Sequence, residues 1–317
     1  MSADALAPRP GTQAPPAPAQ PQPQATPARG IVAASVAAYA RSWIAVGAAL
    51  VFASIVAAAL AAPWIAPQNP YDLTQVDLLD NLLPPGSESF SGMTYLLGTD
   101  GQGRDILSAI LYGLRISLLV GLASGLIALV VGSTVGLVAA YAGGAVDAAI
   151  MRVVDLQLSF PTILVALVLL VILGRGVDKI VFALVVVQWA YFARTVRGVA
   201  LVENAREYIE AARGLELGHL RILFLHLLPN CLPTLLVVAT VQVASAIALE
   251  ATLSFLGLGL PPTQPSLGLL IANGFDYMQS GRYWISVLPG LVLLVTIVSL
   301  NVVGDRLRDV LNPRLAS

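Results

Sequence analysis

The sequence predicts an all-α membrane protein with six transmembrane helices. Of its 317 residues, 57% are hydrophobic and only 11% are charged, whereas roughly a quarter of a soluble domain is charged. Several uncharged stretches reach the roughly 20 residues that an α-helix needs to cross the hydrocarbon layer. None of these stretches alternates apolar and polar residues as the strands of a membrane barrel do, so helices are predicted.

The first 30 residues differ from the rest of the chain. They are rich in Pro, Ala and Gln and contain no aromatic residue, so they bury too little apolar surface to offset the entropy of ordering. We predict a disordered cytoplasmic tail over residues 1–30. Residues 31–105 are predicted to hold the first transmembrane helix and an extracytoplasmic segment, and residues 106–317 a core of five further helices.

The uncharged runs define the six spans. The fourth is the shortest, because only 14 uncharged residues separate Lys179 from Arg194. It can cross the membrane only if the Arg194 side chain extends to the interface. The predicted spans are residues 43–67, 116–146, 156–173, 180–193, 227–258 and 283–303.

Basic residues predict the orientation, because cytoplasmic loops carry an excess of Lys and Arg. A cytoplasmic N-terminus places twelve basic residues inside and four outside. Both termini are therefore predicted to be cytoplasmic. The inside residues are Arg9, Arg29, Arg41, Arg152, Arg194, Arg197, Arg206, Arg213, Arg221, Arg306, Arg308 and Arg314; the outside residues are Arg104, Arg175, Lys179 and Arg282.

A polar segment lies between the fourth and fifth spans. Residues 203–224 contain no proline, and their apolar residues recur at helical spacing, which predicts a short amphipathic cytoplasmic helix. The charged residues three or four apart, which are expected to pair on its exposed face, are Arg206, Glu210, Arg213 and Glu216. From the residues alone, this helix either stabilises the loop or docks a soluble cytoplasmic partner.

The same segment resembles a known signature. The stretch YIEAARGLELGHLRILFLHLLPN, residues 208–230, is similar to the cytoplasmic loop of the integral-membrane subunits of ABC importers. That loop begins with Glu-Ala-Ala and ends with Leu-Pro, and the matching residues here are Glu210, Ala211, Ala212, Leu228 and Pro229. The resemblance implies that residues 203–224 form a coupling helix that docks an ATPase subunit.

One position departs from the family pattern. Glu216 stands where the family usually has glycine, with Gly214 and Gly218 nearby. Glycine there permits a turn between two short helices. We therefore expect Glu216 either to disrupt that turn or to move it by two residues.

Four further segments resemble the dipeptide, oligopeptide and nickel branch of this permease family. They are residues 97–121, 143–167, 248–268, in which Leu267 replaces a usual Trp, and 304–315. The long segment between the first two spans resembles the second of the two permeases that such systems usually carry. The resemblance implies the type I ABC importer permease fold in a bacterial plasma membrane.

The resemblance also implies the function and the partners. Such a permease forms the translocation path for di- or oligopeptides delivered by an extracytoplasmic solute-binding protein. It works with a homologous second permease, membrane lipid and two ATPase subunits that bind ATP and Mg. The chain itself has no P-loop, since Asp178 precedes its only lysine, Lys179. It is expected to be non-catalytic, without cofactor and without nucleic-acid partner; the alternative is a secondary transporter that needs no ATPase.

Two sets of candidate site residues follow from these motifs. Glu250 lies inside the predicted fifth span, where a carboxylate is costly and is expected to face the bundle or a cavity. Structural pairing, a role at the outer gate or in the translocation path, and proton coupling all stay open for it. The predicted ATPase-docking residues are Glu207, Glu210, Ala211, Ala212, Arg213, Gly214, Leu215, Glu216 and Gly218, and the predicted path or gate residues are Glu250, Ser254 and Phe255.

Other charged residues and possible metal ligands give weaker indications of function. The chain has two histidines and one cysteine, which form no metal-binding motif. Asp105 is predicted to cap the second span, with contact to the solute-binding protein as the alternative. Asp147, Arg152 and Asp155 form a loop cluster that is either solvated or a second ATPase contact.

Overall fold

The computed structural model describes residues 38–72, 74–89, 92–261 and 263–311, so the predicted tail over residues 1–30 lies outside the described part. The described residues are mostly helical, with a small antiparallel hairpin on the segment after the first span. The elements are α1 (Trp43–Ile65), β1 (Ser87–Glu88), β2 (Thr94–Tyr95), α2 (Ile106–Ala142), α3 (Gly144–Ser159), α4 (Thr162–Leu173), α5 (Val177–Asn204), α6 (Glu207–Gly214), α7 (His219–Arg221), α8 (Leu228–Phe255), α9 (Leu267–Phe275) and α10 (Trp284–Leu311).

Five helical stretches in the described chain are long and apolar enough to cross a membrane. They are α1, α2, α5, the stretch His219–Phe255 and α10. In that fourth stretch, a single π-helical turn, Ile222–Leu227, joins α7 to α8. Trp43 and Trp64 are highly exposed near the two ends of α1. They lie about 32 Å apart along the helix, which suits side chains that anchor at the two membrane interfaces.

The third span is not the straight helix predicted over residues 156–173. Helices α3 and α4 meet at 89°, with Phe160 extended and Pro161 at the break. Proline lacks an N–H and disfavours the helical conformation of the preceding residue, so the helix ends there. Because the 12 residues of α4 rise only about 18 Å, the described part of the chain has six spans only if this bent pair counts as one.

The fourth span is longer than its uncharged core. Helix α5 has 28 residues and continues through Arg194 and Arg197. Both guanidinium groups pair with α3: Arg194 with Asp155, and Arg197 with Asp147 through N–O distances of 2.5 and 2.6 Å. Two members of the predicted loop cluster therefore tie α3 to α5, and α5 does not end at Arg194 as predicted.

The first turn of α2 joins the extracytoplasmic segment to the bundle. The Asp105 carboxylate accepts hydrogen bonds from the Ser108 N–H at 2.8 Å and the Ser108 hydroxyl at 2.6 Å. The Asp105 N–H donates to Gln68 Oε1 at 2.7 Å. The predicted N-cap is confirmed, and it also connects α2 to the chain that leaves α1.

Helices α2 and α5 pack with their backbones close together. Gly132 and Gly136 on α2 lie against the carbonyl oxygens of Trp189 and Ala193 on α5, and a Cβ at either glycine would overlap them. This Gly-x-x-x-Gly spacing places both glycines on one face, a common way for membrane helices to approach. The arrangement fixes the position of α5, the helix that leads directly into the predicted docking segment.

We expect Gly132→Ala to destabilise the protein by about 1–3 kcal/mol, because its methyl group would force α2 and α5 apart. The measurement is the midpoint of thermal unfolding of the detergent-purified chain. The control is Gly198→Ala on α5, where nothing lies within 4 Å of the added Cβ and stability should stay the same or rise slightly. Equal midpoints for the two variants would contradict the close packing.

Candidate functional site

The predicted coupling helix over residues 203–224 is two helices rather than one. Residues 203 and 204 finish α5, and the segment then forms α6, Glu207–Gly214. A turn follows before α7 begins after Gly218. The single continuous helix predicted from the absence of proline is therefore wrong in its extent.

The turn between α6 and α7 is centred on Glu216. The Glu216 N–H donates to Arg213 O at 2.9 Å and the Leu217 N–H donates to Ala212 O at 3.2 Å, which is the hydrogen-bond pair of a Schellman motif. Glu216 occupies the position that glycine usually takes in this motif and has a φ of 56°. The turn is neither disrupted nor moved by two residues, so that expectation is wrong.

The inner face of α6 packs on the bundle. Ile209 and Ala212 are buried in a cluster with apolar side chains of α2, α5, the π-helical turn and α8, and Leu217 packs against the same cluster. Ala212 is one of the predicted docking residues, yet its side chain faces inward. It anchors α6 and leaves contact with a partner to its neighbours.

Arg213 also points toward the bundle. Its guanidinium donates to Asn204 Oδ1 at 2.7 Å and lies 5.3 Å from the centre of the Tyr141 ring, a cation–π distance. Arg206 pairs with Glu203 at 3.1 Å. The predicted pairs of Arg206 and Arg213 with Glu210 and Glu216 are therefore absent.

Two tyrosine contacts complete the attachment. Tyr141 OH lies 2.7 Å from His219 Nδ1, which joins the end of α2 to α7. Tyr208 OH donates to Glu203 Oε2 at 3.0 Å and accepts from Asn230 Nδ2 at 3.0 Å, which joins α5, α6 and α8. Burial and the Glu203 hydrogen bond raise the pKa of Tyr208 to about 12, so its hydroxyl remains protonated at physiological pH.

The outer face of this region carries most of the predicted docking residues. None of the three carboxylates among them has an ion pair or side-chain hydrogen bond within the described chain. Leu215 is 75% exposed between them. We call this the docking surface; its residues are Glu207, Glu210, Ala211, Gly214, Leu215, Glu216 and Gly218, all exposed.

Glu250 lies in the bundle interior with no exposed surface. Its Oε2 accepts from Ser117 Oγ of α2 at 2.8 Å, and its Oε1 accepts from Ser254 Oγ at 2.7 Å. The carboxyl group thus ties α8 to α2 through hydrogen bonds rather than through a salt bridge. This geometry supports the structural alternative; the roles at the outer gate or in the translocation path and in proton coupling stay predictions.

The other predicted path residues do not share one surface. Ser254 is buried against Glu250, whereas Phe255 is 41% exposed and packs edge-on against Phe275 with ring centres 5.9 Å apart. No group of three or more His, Cys, Asp or Glu residues suited to a metal ion occurs among the residues described.

A cleft that the sequence did not predict, lined by both polar and apolar side chains, lies between α4, α5 and α8. Its volume is about 340 Å³. The signal for it was weak, because three separate helices each contribute only one or two polar residues, set in apolar runs. Its lining includes Thr162, Gln188, Tyr191, Gln242, Ser245 and Leu249.

Comparison with known families identifies the chain. Residues 132–317 match the family described as binding-protein-dependent transport system inner membrane component. The chain belongs to this family. Residues 37–85 match the N-terminal transmembrane domain of oligopeptide transport permease C. The family is a non-catalytic membrane component of ABC transporters, so this protein is a multi-pass inner-membrane permease subunit of an ATP-driven importer.

Curated relatives match most of the chain. The di/tripeptide transport system permease protein DppC of Pseudomonas aeruginosa is 39% identical over 272 residues, covering 86% of this chain and 88% of the relative. The dipeptide transport system permease protein DppC of Escherichia coli K12 is 42% identical over 257 residues, covering 81% and 84%. The inferred branch of the permease family is confirmed.

A solved structure supports the fold. Inward-facing MetNI, a methionine ABC transporter, gives a TM-score of 0.53 at 22% identity, covering 64% of this chain and 96% of that one. This likeness confirms the type I ABC importer permease fold. The orientation of the termini stays a prediction from the basic residues.

We expect Glu216→Gly to stabilise the protein by up to about 1 kcal/mol, because glycine removes the Cβ that opposes a positive φ. Glu216→Ala deletes the same carboxylate but keeps the Cβ, so it should give no comparable gain. Thermal unfolding of both variants measures the difference. A glycine variant no more stable than the alanine variant would show that Glu216 adopts this conformation without strain.

We expect Glu250→Leu to lower stability by about 1–3 kcal/mol, because it leaves two buried serine hydroxyls without their acceptor. Glu250→Gln keeps an amide that can accept from one serine and donate to the other, so its loss should be smaller. The measurement is the midpoint of thermal unfolding of both detergent-purified variants. If the two lose stability equally, hydrogen bonding does not account for the role of Glu250.

Proposed function

We propose that this permease subunit carries di- or oligopeptides across the inner membrane, and that its docking surface receives the ATPase. The proposal for the substrate rests on the relatives, whose names specify dipeptide or di/tripeptide transport. The proposal for docking rests on one observation: an exposed acidic surface is fixed to the bundle on its opposite face by buried side chains.

The attachment of α6 explains how a partner could move the spans. A rod that presents Glu207 and Glu210 outward, while Ile209 packs inward, transmits displacement only if it is held at several points. Contacts of α6 to the ends of α2, α5 and α8, made by Arg213 and Tyr208, supply those points. Motion at the docking surface would therefore reach three spans together and favour one access state over another.

The partners are inferred from the family. Membership of the family implies a binding protein, an ATPase and a companion permease in general terms. We infer two ATPase subunits that bind ATP and Mg, one docking on this chain and one on a homologous second permease. No cofactor is assigned to this chain. The relatives and the fold give no support to a secondary transporter.

We expect Glu210→Arg to abolish peptide-dependent ATP hydrolysis and uptake by the assembled importer while leaving the chain inserted. Glu210 has no partner within the described chain, so charge reversal should disturb only an intermolecular contact. The measurement is ATPase activity and dipeptide uptake in proteoliposomes that contain the complete importer.

The matched control is Asp309→Arg. Asp309 lies near the end of α10, is exposed, and has only a loose 3.8 Å pair with Arg306. The Asp309→Arg variant reverses a charge on the same predicted side of the membrane but away from the docking surface. Activity should stay within about twofold of the parent. Normal uptake in the Glu210 variant would remove that carboxylate from the docking contact.

A further inference from the structure

The cleft between α4, α5 and α8 lies at mid-depth in the bundle. Gln188 is near the middle of α5 and Gln242 is near the middle of α8, so both amides sit far from either helix end. Polar groups at this depth are costly unless they are paired or functional. The cleft volume, about 340 Å³, falls within the range of small-molecule sites, roughly 300–1,000 Å³.

The hydrogen bonding of Gln188 leaves one acceptor unused. Its side chain is 1% exposed, and its Nε2 donates to the main-chain oxygen of Gln242 at 3.0 Å. Because that partner is a carbonyl, the amide nitrogen must point to it. Gln188 is one of the residues that line the cleft, and its Oε1 is left buried without a hydrogen-bond partner in the described chain.

Further groups in the cleft are also available. The side-chain amide of Gln242 makes no hydrogen bond to any described residue, although its main-chain oxygen is used. Ser245, one helical turn away, exposes a hydroxyl that is likewise unpaired among the described residues. Tyr191 adds a phenol whose contact with Thr162, at 3.4 Å, is long for a hydrogen bond. The lining therefore offers donors and acceptors but no charge.

We propose that this cleft is a substrate subsite that holds the main chain of a passing peptide through the amides of Gln188 and Gln242. The inference rests on the proposed function and adds the residues and the part of the substrate that they contact. An amide pairs in both directions with a peptide unit, which carries one N–H and one C=O. Because every peptide has this unit, an uncharged cleft would accept peptides of different side chains.

The test uses the complete importer in proteoliposomes, with labelled dialanine, dilysine and diglutamate as probes. Gln242→Met removes the side-chain amide but keeps the main-chain carbonyl that receives Gln188. We expect uptake of all three peptides at subsaturating concentration to fall about tenfold. ATP hydrolysis stimulated by the loaded binding protein should stay within about twofold, since the docking surface is unchanged. Gln188→Met should lower uptake in the same way.

The control is Thr252→Val, an exposed α8 position outside the cleft whose hydroxyl bonds its own helix at Ala248 O, 2.8 Å away. It should leave uptake within about twofold. If Gln242→Met prevents assembly, Gln242→Asn retracts the amide by one methylene and should show a smaller loss of the same kind. Unchanged uptake in an assembled Gln242 variant, or a loss confined to one peptide, would overturn the subsite. Absence of ATP-dependent uptake by the parent importer would instead overturn the proposed function, and the subsite with it.

Discussion

The close contact between α2 and α5 is the constraint on which the rest of the structure depends. Two glycines one turn apart bring the helix backbones together. Helix α5 in turn contacts or leads into α3, α8 and α6. Its two arginines hold α3, its central glutamine reaches α8, and its last turn leads directly into α6. A shift of α5 would move the cleft and the docking surface together. Packing between the spans thereby sets the position of the docking surface.

Much of the fold could be predicted from uncharged runs, because lipid excludes charge from long stretches of helix. The Asp105 cap could also be predicted, since an Asp directly before a helix accepts a hydrogen bond from an N–H of the first turn. The bend of the third span was missed although Pro161 lies inside the predicted run. Arg213 was assigned to local carboxylates by spacing, yet it faces Tyr141 and Asn204. A tertiary contact from α2, distant in sequence, outweighed the weak energy of exposed helical pairs.

The exposed segment that carries the docking surface could be located from the sequence, whereas the cleft between the spans could not. The docking surface lies on one short segment, so its residues are neighbours in sequence. The cleft takes one or two polar residues from each of three helices, and no local pattern connects Gln188 to Gln242. The two regions share α5 and α8. Because both regions rest on these two helices, a force applied at the docking surface has a physical route by which it could change the width of the cleft inside the membrane.

The π-helical turn between α7 and α8 has a consequence for helical phase. An α-helix advances about 100° per residue, and a π-helical turn contains one residue more than the turn it replaces. That extra residue rotates α7 relative to the buried face of α8 without changing which side of α8 meets the bundle. The direction in which α7 points is therefore set independently of the face by which α8 packs. A change of sequence in this turn can therefore rotate α7 about the helix axis while the packing face of α8 stays the same.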